Sequence, residues 1–238
     1  MKENCWICES AAADSGEHKS KKSDLKAVFG GASPQRPLYL HDSKTRSHRV
    51  YGLDAPRLKW PSVICGYCNS TRTQPHDMAW ETLHAELRER VPSLKPGDGV
   101  RGNSITARAM LNVHLYFAKA FGCTLVMEKA PLDIAPFAKA IMTETPHPDF
   151  YLKFGITAKP PIRQIKTFPI FILRGPGGMF IHATWFYYVD GLMIEGRVVF
   201  GASAHTVAAQ QHAWHPSMGN NCLKIMKIEG RPSTEALS

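Results

Sequence analysis

No stretch of this 238-residue chain reads as the roughly 18 to 20 consecutive apolar residues that a membrane helix needs. The opening residues MKENCWICES hold no apolar core before a cleavage site, which argues against a secretory signal. Internal repeats and long low-complexity tracts are missing. Acidic residues are in deficit: 20 Asp and Glu face 29 Lys and Arg, a formal charge of +9. Such a field favours polyanions, although charge alone can be a solubility device. Hydrophobic residues make up 44% and charged ones 21%, which excludes wholesale disorder and leaves an ordinary globular chain. The length allows one large core or a small module joined to a larger domain, and the second arrangement is expected. The expected compartment is the cytoplasm, where thiols stay reduced and paired cysteines hold metal more often than they form disulfides.

Cysteine is also sparse, with six in the chain, but four of them fall in two Cys-x-x-Cys pairs, Cys5/Cys8 and Cys65/Cys68. One pair alone is as readily a redox site as a metal site. Two pairs supply the four thiolates of a tetrahedral structural zinc, and the two-residue spacer lets a tight knuckle turn both sulfurs toward one ion. Cys123 and Cys222, without nearby partners, read as core residues.

The texture of the chain changes near residue 92. Residues 1–91 carry the cysteine pairs and much loop. Leu38 to His41 and Arg49 to Leu53 pair as a candidate hairpin. From Pro75, apolar positions Ala79, Trp80, Leu83, Leu87 and Val91 recur at helical spacing. The segment 92–102, rich in proline and glycine, reads as a linker, and 103–238 as a second domain of unknown role, with substrate recognition as a candidate. There Ser104 caps a helix to about Phe121 with Gly122 as its stop, and a shorter helix follows Asp133. Strands are expected over 150–157, 168–173, 179–189, 192–200 and 222–228, with a helix over 202–213. The fold class is therefore α+β: a zinc module followed by a helix-plus-antiparallel-sheet domain.

Chemistry is concentrated around the knuckles. Glu17-His18 lies between the two pairs, and Asn69 directly follows the last cysteine. An imidazole titrates near neutral pH and can take a proton from water, while Glu17 and Asn69 offer the hard oxygens that magnesium or manganese prefers. Lys19, Lys21 and Lys22, together with Arg72, are placed to hold phosphates nearby. Cys5-x-x-Cys8, Glu17-His18 and Cys65-x-x-Cys68-Asn69 together resemble the HNH endonuclease superfamily, in particular its zinc-braced branch, and the run CGYCNSTRTQPHDMAW from Cys65 looks like that of many bacterial HNH-like proteins.

The resemblance covers about the first 80 residues. It implies a ββα-metal or treble-clef finger with Cys5, Cys8, Cys65 and Cys68 on structural Zn2+, and Glu17 and Asn69 on a catalytic Mg2+ or Mn2+. His18 would be the general base of a DNA endonuclease, with RNA as the other polyanionic substrate. Many members carry a further histidine on the final helix, a place that His76 and Asp77 occupy here. The chain departs from the pattern in having glutamate where aspartate is usual before the histidine. That departure motivates the alternative, a non-catalytic zinc-finger protein that binds nucleic acid or another partner; a third reading has the zinc merely stabilising a small domain. The second domain's His182, His205, His212 and His215 read as packing or surface residues. The run Trp185 to Tyr188 offers at most half its rings for base stacking, because alternate strand residues face opposite ways. Oligomeric state is left open.

Overall fold

The computed structural model describes residues 3–41, 47–157, 163–201, 213–219 and 222–228. The expected helix over 202–213, with His205 and His212, lies almost wholly outside these. After the first knuckle comes α1 (Lys22–Phe29), then the short hairpin β1 (Leu38–Leu40) and β2 (His48–Val50), close to the expected positions. The second knuckle leads through a π-helical turn, Cys68–Arg72, into α2 (Gln74–Arg90). Next come β3 (Gly99–Val100), the long α3 (Ala107–Glu128) and α4 (Ala135–Thr143). The remaining strands are β4 (Phe150–Ile156), β5 (Ile165–Thr167), β6 (Phe171–Arg174), β7 (Phe180–Val189), β8 (Leu192–Val199) and β9 (Leu223–Lys227).

The larger sheet has the order β3-β9-β4-β8-β7-β5, with β6 also paired to β7. Asp190-Gly191 closes the β7–β8 hairpin in register Val189 to Leu192. The β6–β7–β8 meander follows the turn signals. The closing strand β9 joins the sheet parallel to β4 and antiparallel to β3.

Two sequence expectations change at α3. Thr106, rather than Ser104, caps the helix by accepting from Ala109 N, while Ser104 donates to Glu86 instead. Gly122 does not stop the helix, which continues through it to Glu128. A Cβ at Gly122 would stand 2.5 Å from the Trp6 ring, so the glycine serves close packing against the first knuckle. By length and composition α3 also passes as a membrane helix, contrary to the reading that no run comes near, but 78% of its apolar window is buried within the protein.

The segment read as a linker does more than connect. Its Gly99–Val100 pairs with β9 as a sheet strand, and Val100 belongs to one contiguous apolar core that also contains Cys5, Trp6, Ile64, Leu83, Phe117 and Trp185. The zinc-knuckle region and the sheet thus pack as one body. Trp80 of α2 meets Phe117 of α3 edge-on at 4.8 Å between ring centroids and Tyr187 of β7 at 6.2 Å. Trp185 and Tyr187 face this core, whereas Phe186 and Tyr188 pack with Met193 and Ile228 on the opposite face. All four rings are buried, so none forms an open stacking platform.

Candidate metal centre and its surroundings

The two knuckles converge. The Sγ atoms of Cys5, Cys8, Cys65 and Cys68 all lie within 4.8 Å of one another, and Cys8 Sγ is 3.9 Å from Cys65 Sγ. A zinc tetrahedron with Zn–S bonds of about 2.3 Å has edges of about 3.8 Å, so this cluster can hold a structural zinc ion. Within the second knuckle, Cys68 N points at Cys65 Sγ at 3.4 Å. Burial pushes the Cys5 and Cys68 thiols up, whereas the Ser10 hydroxyl draws Cys8 down to about 6; a bound divalent ion would deprotonate coordinating thiols outright.

Between the knuckles, residues 15–19 run antiparallel to residues 58–64. Ser15 N donates to Ile64 O at 2.9 Å, Trp60 N to Glu17 O at 2.8 Å and Lys19 N to Leu58 O at 2.8 Å. The approach is tight at Gly16, where a Cβ would stand 2.8 Å from Trp60 O. This irregular ribbon ties Glu17 and His18 to the segment that leads into the second knuckle, and Asn69 directly follows that knuckle. Asn69 is tied to the ribbon by its Nδ2, which donates to Ser15 Oγ at 2.8 Å.

His18 and Glu17 make separate contacts. The Nε2 of His18 lies 3.0 Å from Leu53 O. A carbonyl can only accept, so Nε2 carries the proton and Nδ1 is left as the acceptor. Partial burial, more than the opposing pull of the Leu53 carbonyl, lowers the imidazole pKa from its ordinary 6.5, so the ring is neutral at pH 7. Glu17 instead faces α3, where the fully buried Lys119 ammonium is 3.3 Å from Glu17 Oε2, 2.9 and 3.1 Å from the two oxygens of Asp77, and 3.2 Å from Thr73 Oγ1. Burial alone would pull Lys119 down; Glu17 and Asp77 outweigh it and hold the ammonium above its ordinary value.

No family model, no curated protein and no solved structure matches the chain.

The other expected site residues are distributed around this hub. Lys21 makes ion pairs at 3.3 Å with Asp77 and Glu81, and Lys22 pairs with Asp54. Arg72 stacks over Tyr67, 5.4 Å from its ring centroid, and abuts Met142. His76 is buried against Asn112 Oδ1 at 3.2 Å, while Asp77 meets ammonium groups. Of the four cations expected to hold phosphate, Lys21 and Lys22 are thus neutralised by carboxylates and Arg72 is occupied by the Tyr67 ring, which leaves Lys19 as the most available. As for a second metal, Glu17 Oε1 and Asn69 Oδ1 are hard oxygens with no protein donor among the described residues, a donor chemistry that suits magnesium or manganese. The Lys119 ammonium on the other oxygen of Glu17 opposes an additional cation there.

Sequence reading missed two buried charges. Lys119 looks like one polar residue in an apolar helix. Asp24, in the unforeseen α1, accepts from Trp80 Nε1 at 2.9 Å and Tyr187 OH at 2.6 Å, and its other oxygen lies 2.7 Å from His84 Nδ1. The sequence signal for Lys119 was a charge within an apolar helix; Asp24 carried none.

Proposed function

We propose that the protein is a zinc-braced, HNH-like endonuclease that hydrolyses phosphodiester bonds, with DNA as the expected substrate. The observation that carries this reading is the His18 imidazole, neutral and pinned through Nε2 to the Leu53 carbonyl. Its Nδ1 accepts a proton from water as the oxygen attacks phosphorus. As the P–O bond to the leaving sugar oxygen breaks, that oxygen takes up a proton from solvent water, and the imidazolium returns its proton to solvent. Magnesium or manganese held by Glu17 and Asn69 would neutralise the phosphate and the leaving oxygen. The structural zinc keeps the ribbon, the knuckle and α2 in one arrangement, and Lys19 supplies charge to a neighbouring phosphate. Plasmid should be nicked or linearised when magnesium or manganese is added. His18→Ala should lose cleavage while retaining zinc; equal cleavage by parent and variant would remove His18 from the mechanism.

A second reading is favoured by a different observation. Lys119 already neutralises Glu17 and Asp77, as a non-catalytic nucleic-acid-binding or interaction protein would permit. It predicts salt-sensitive binding of nucleic acid with no cleavage under any divalent metal. Strand scission that disappears with His18→Ala rules it out.

A further inference from the structure

A groove with a volume of about 500 Å3 runs between the β1–β2 hairpin region and the edge strand β5. Lys19, Arg57 and Lys166 line it. Among the described residues none of these three has a carboxylate partner, whereas Lys21, Lys22, Lys59 and Lys119 in the neighbouring region all do. Three unneutralised cations around one concavity call for an anion. Trp60 and Trp185 stand in its wall as buried rings, and the Trp185 indole N–H, in a side chain only 1% exposed, has no acceptor among the described residues. At the rim Glu128 accepts from Ile170 N at 3.1 Å through Oε2, leaving Oε1 to meet a donor.

The volume falls within the range of small-molecule sites, about 300 to 1,000 Å3, which suits one nucleotide. The groove also adjoins the proposed reaction centre. Lys19 follows His18 directly, and Arg57 to Trp60 is the segment bridged to it.

We propose that this groove binds one nucleotide of a single-stranded nucleic acid, with phosphates on Lys19, Arg57 and Lys166 and the edge of the unpaired base meeting the Trp185 indole N–H and Glu128 Oε1. This rests on the nucleic-acid reading above and adds the strandedness and the place of the substrate. Single strands suit such a site because the hydrogen-bonding edges of unpaired bases are open to protein donors and acceptors.

The test uses the zinc-loaded full chain carrying His18→Ala, without added magnesium, so that binding is measured apart from cleavage. Fluorescence anisotropy follows a labelled 12-nucleotide single-stranded DNA, with unlabelled single strand and duplex of the same sequence as competitors. Arg57→Glu and Lys166→Glu, both at exposed positions, should each weaken binding about tenfold. Each should also flatten the log K against log salt slope by about 0.7 for every phosphate no longer neutralised. Lys139→Glu, exposed on α4 away from the groove, should stay within about twofold of the parent. Affinity and slope unchanged in both groove variants, or duplex competing as well as single strand, would overturn the proposal. Failure here with His18-dependent cleavage intact would sink the groove alone; cleavage that does not depend on His18, with groove binding intact, would sink only the nuclease reading.

Discussion

Replacing Lys119 with methionine tests how the ribbon, α2 and α3 are held together. The side chain is fully buried in α3, and its ammonium bridges Glu17 on the ribbon to Asp77 on α2. Methionine keeps much of the length and the apolar stem but removes the charge. Asp77 would retain Lys21 at 3.3 Å, whereas Glu17 would lose the one ion-pair partner it has among the described residues. Removing one member of a buried ion pair costs about 3 to 5 kcal/mol, because the remaining charge is left uncompensated. For a chain of this size that is a fall in thermal midpoint of about 6 to 20 °C.

The pH dependence separates this cause from simple misfit. In the parent, the folded-state pKa of Lys119 is raised above the ordinary 10.5. The stability it brings is therefore complete below 10.5 and is lost only as pH rises through the folded value. Between about pH 5 and 8 the parent's Lys119 contribution is constant. In the variant, an unpaired Glu17 gains from protonation, so the penalty should shrink on going from about pH 7 to pH 5. Adding Glu17→Gln should recover part of it, because a neutral amide costs less to bury than a carboxylate. Urea unfolding of the zinc-loaded protein at the two pH values measures this. A destabilisation under about 1 kcal/mol at pH 7, or an equal one at both pH values with no rescue, would refute the argument.

Protein purified without chelator should carry one zinc by elemental analysis. Stripping it should lower the thermal midpoint and expose the four thiols to titration, and Cys65→Ser should do the same with the three that remain; zinc content near zero with unchanged stability would count against the site. Asp24→Ala should cost about 2 to 6 kcal/mol, since the Trp80 and Tyr187 donors would lose a buried acceptor. Asp24→Asn should cost clearly less, and equal costs for both would show that the carboxylate oxygens are not what matters. Acid should destabilise the fold through buried neutral histidines: the pKa of His76 is lowered and that of His147 falls to about 4, both mainly by burial. The unfolded chain binds these protons first, so stability is complete above about 6.5 and falls toward pH 4, by up to about 1.4 kcal/mol per pH unit for each histidine. A flat unfolding free energy between about pH 6.5 and 4.5 would contradict this.

Local signals in the sequence were good guides where a single element determines them. The spacing in Cys5-x-x-Cys8 and Cys65-x-x-Cys68 was enough to expect convergence, because each knuckle turns its own two sulfurs. The periodicity after Pro75 and the turn at Asp190-Gly191 similarly located α2 and the β7–β8 hairpin. Long-range partners were not legible. Nothing near Lys119 in sequence indicates Glu17 or Asp77, and Asp24 meets Tyr187 only after the sheet has formed. Gly122 was misread because its role lies in the Trp6 ring packed on it, not in the helix backbone. The glycines and prolines of 92–102 suggested a linker and could not show that Gly99–Val100 would find β9. Adjacency of Glu17 and His18 likewise concealed that one faces α3 and the other Leu53.

The Asp24–Tyr187 hydrogen bond joins residues 163 positions apart in the chain. An N-terminal segment leaving the ribosome can close its zinc knuckles early, yet its buried carboxylate has no tyrosine to receive until most of the polypeptide has been made. Native completion of this N-terminal segment is thus deferred until β7 has been made. Premature truncation after α4 would leave Asp24 facing solvent or an incomplete core, making such fragments ready substrates for quality-control proteases rather than small autonomous zinc proteins.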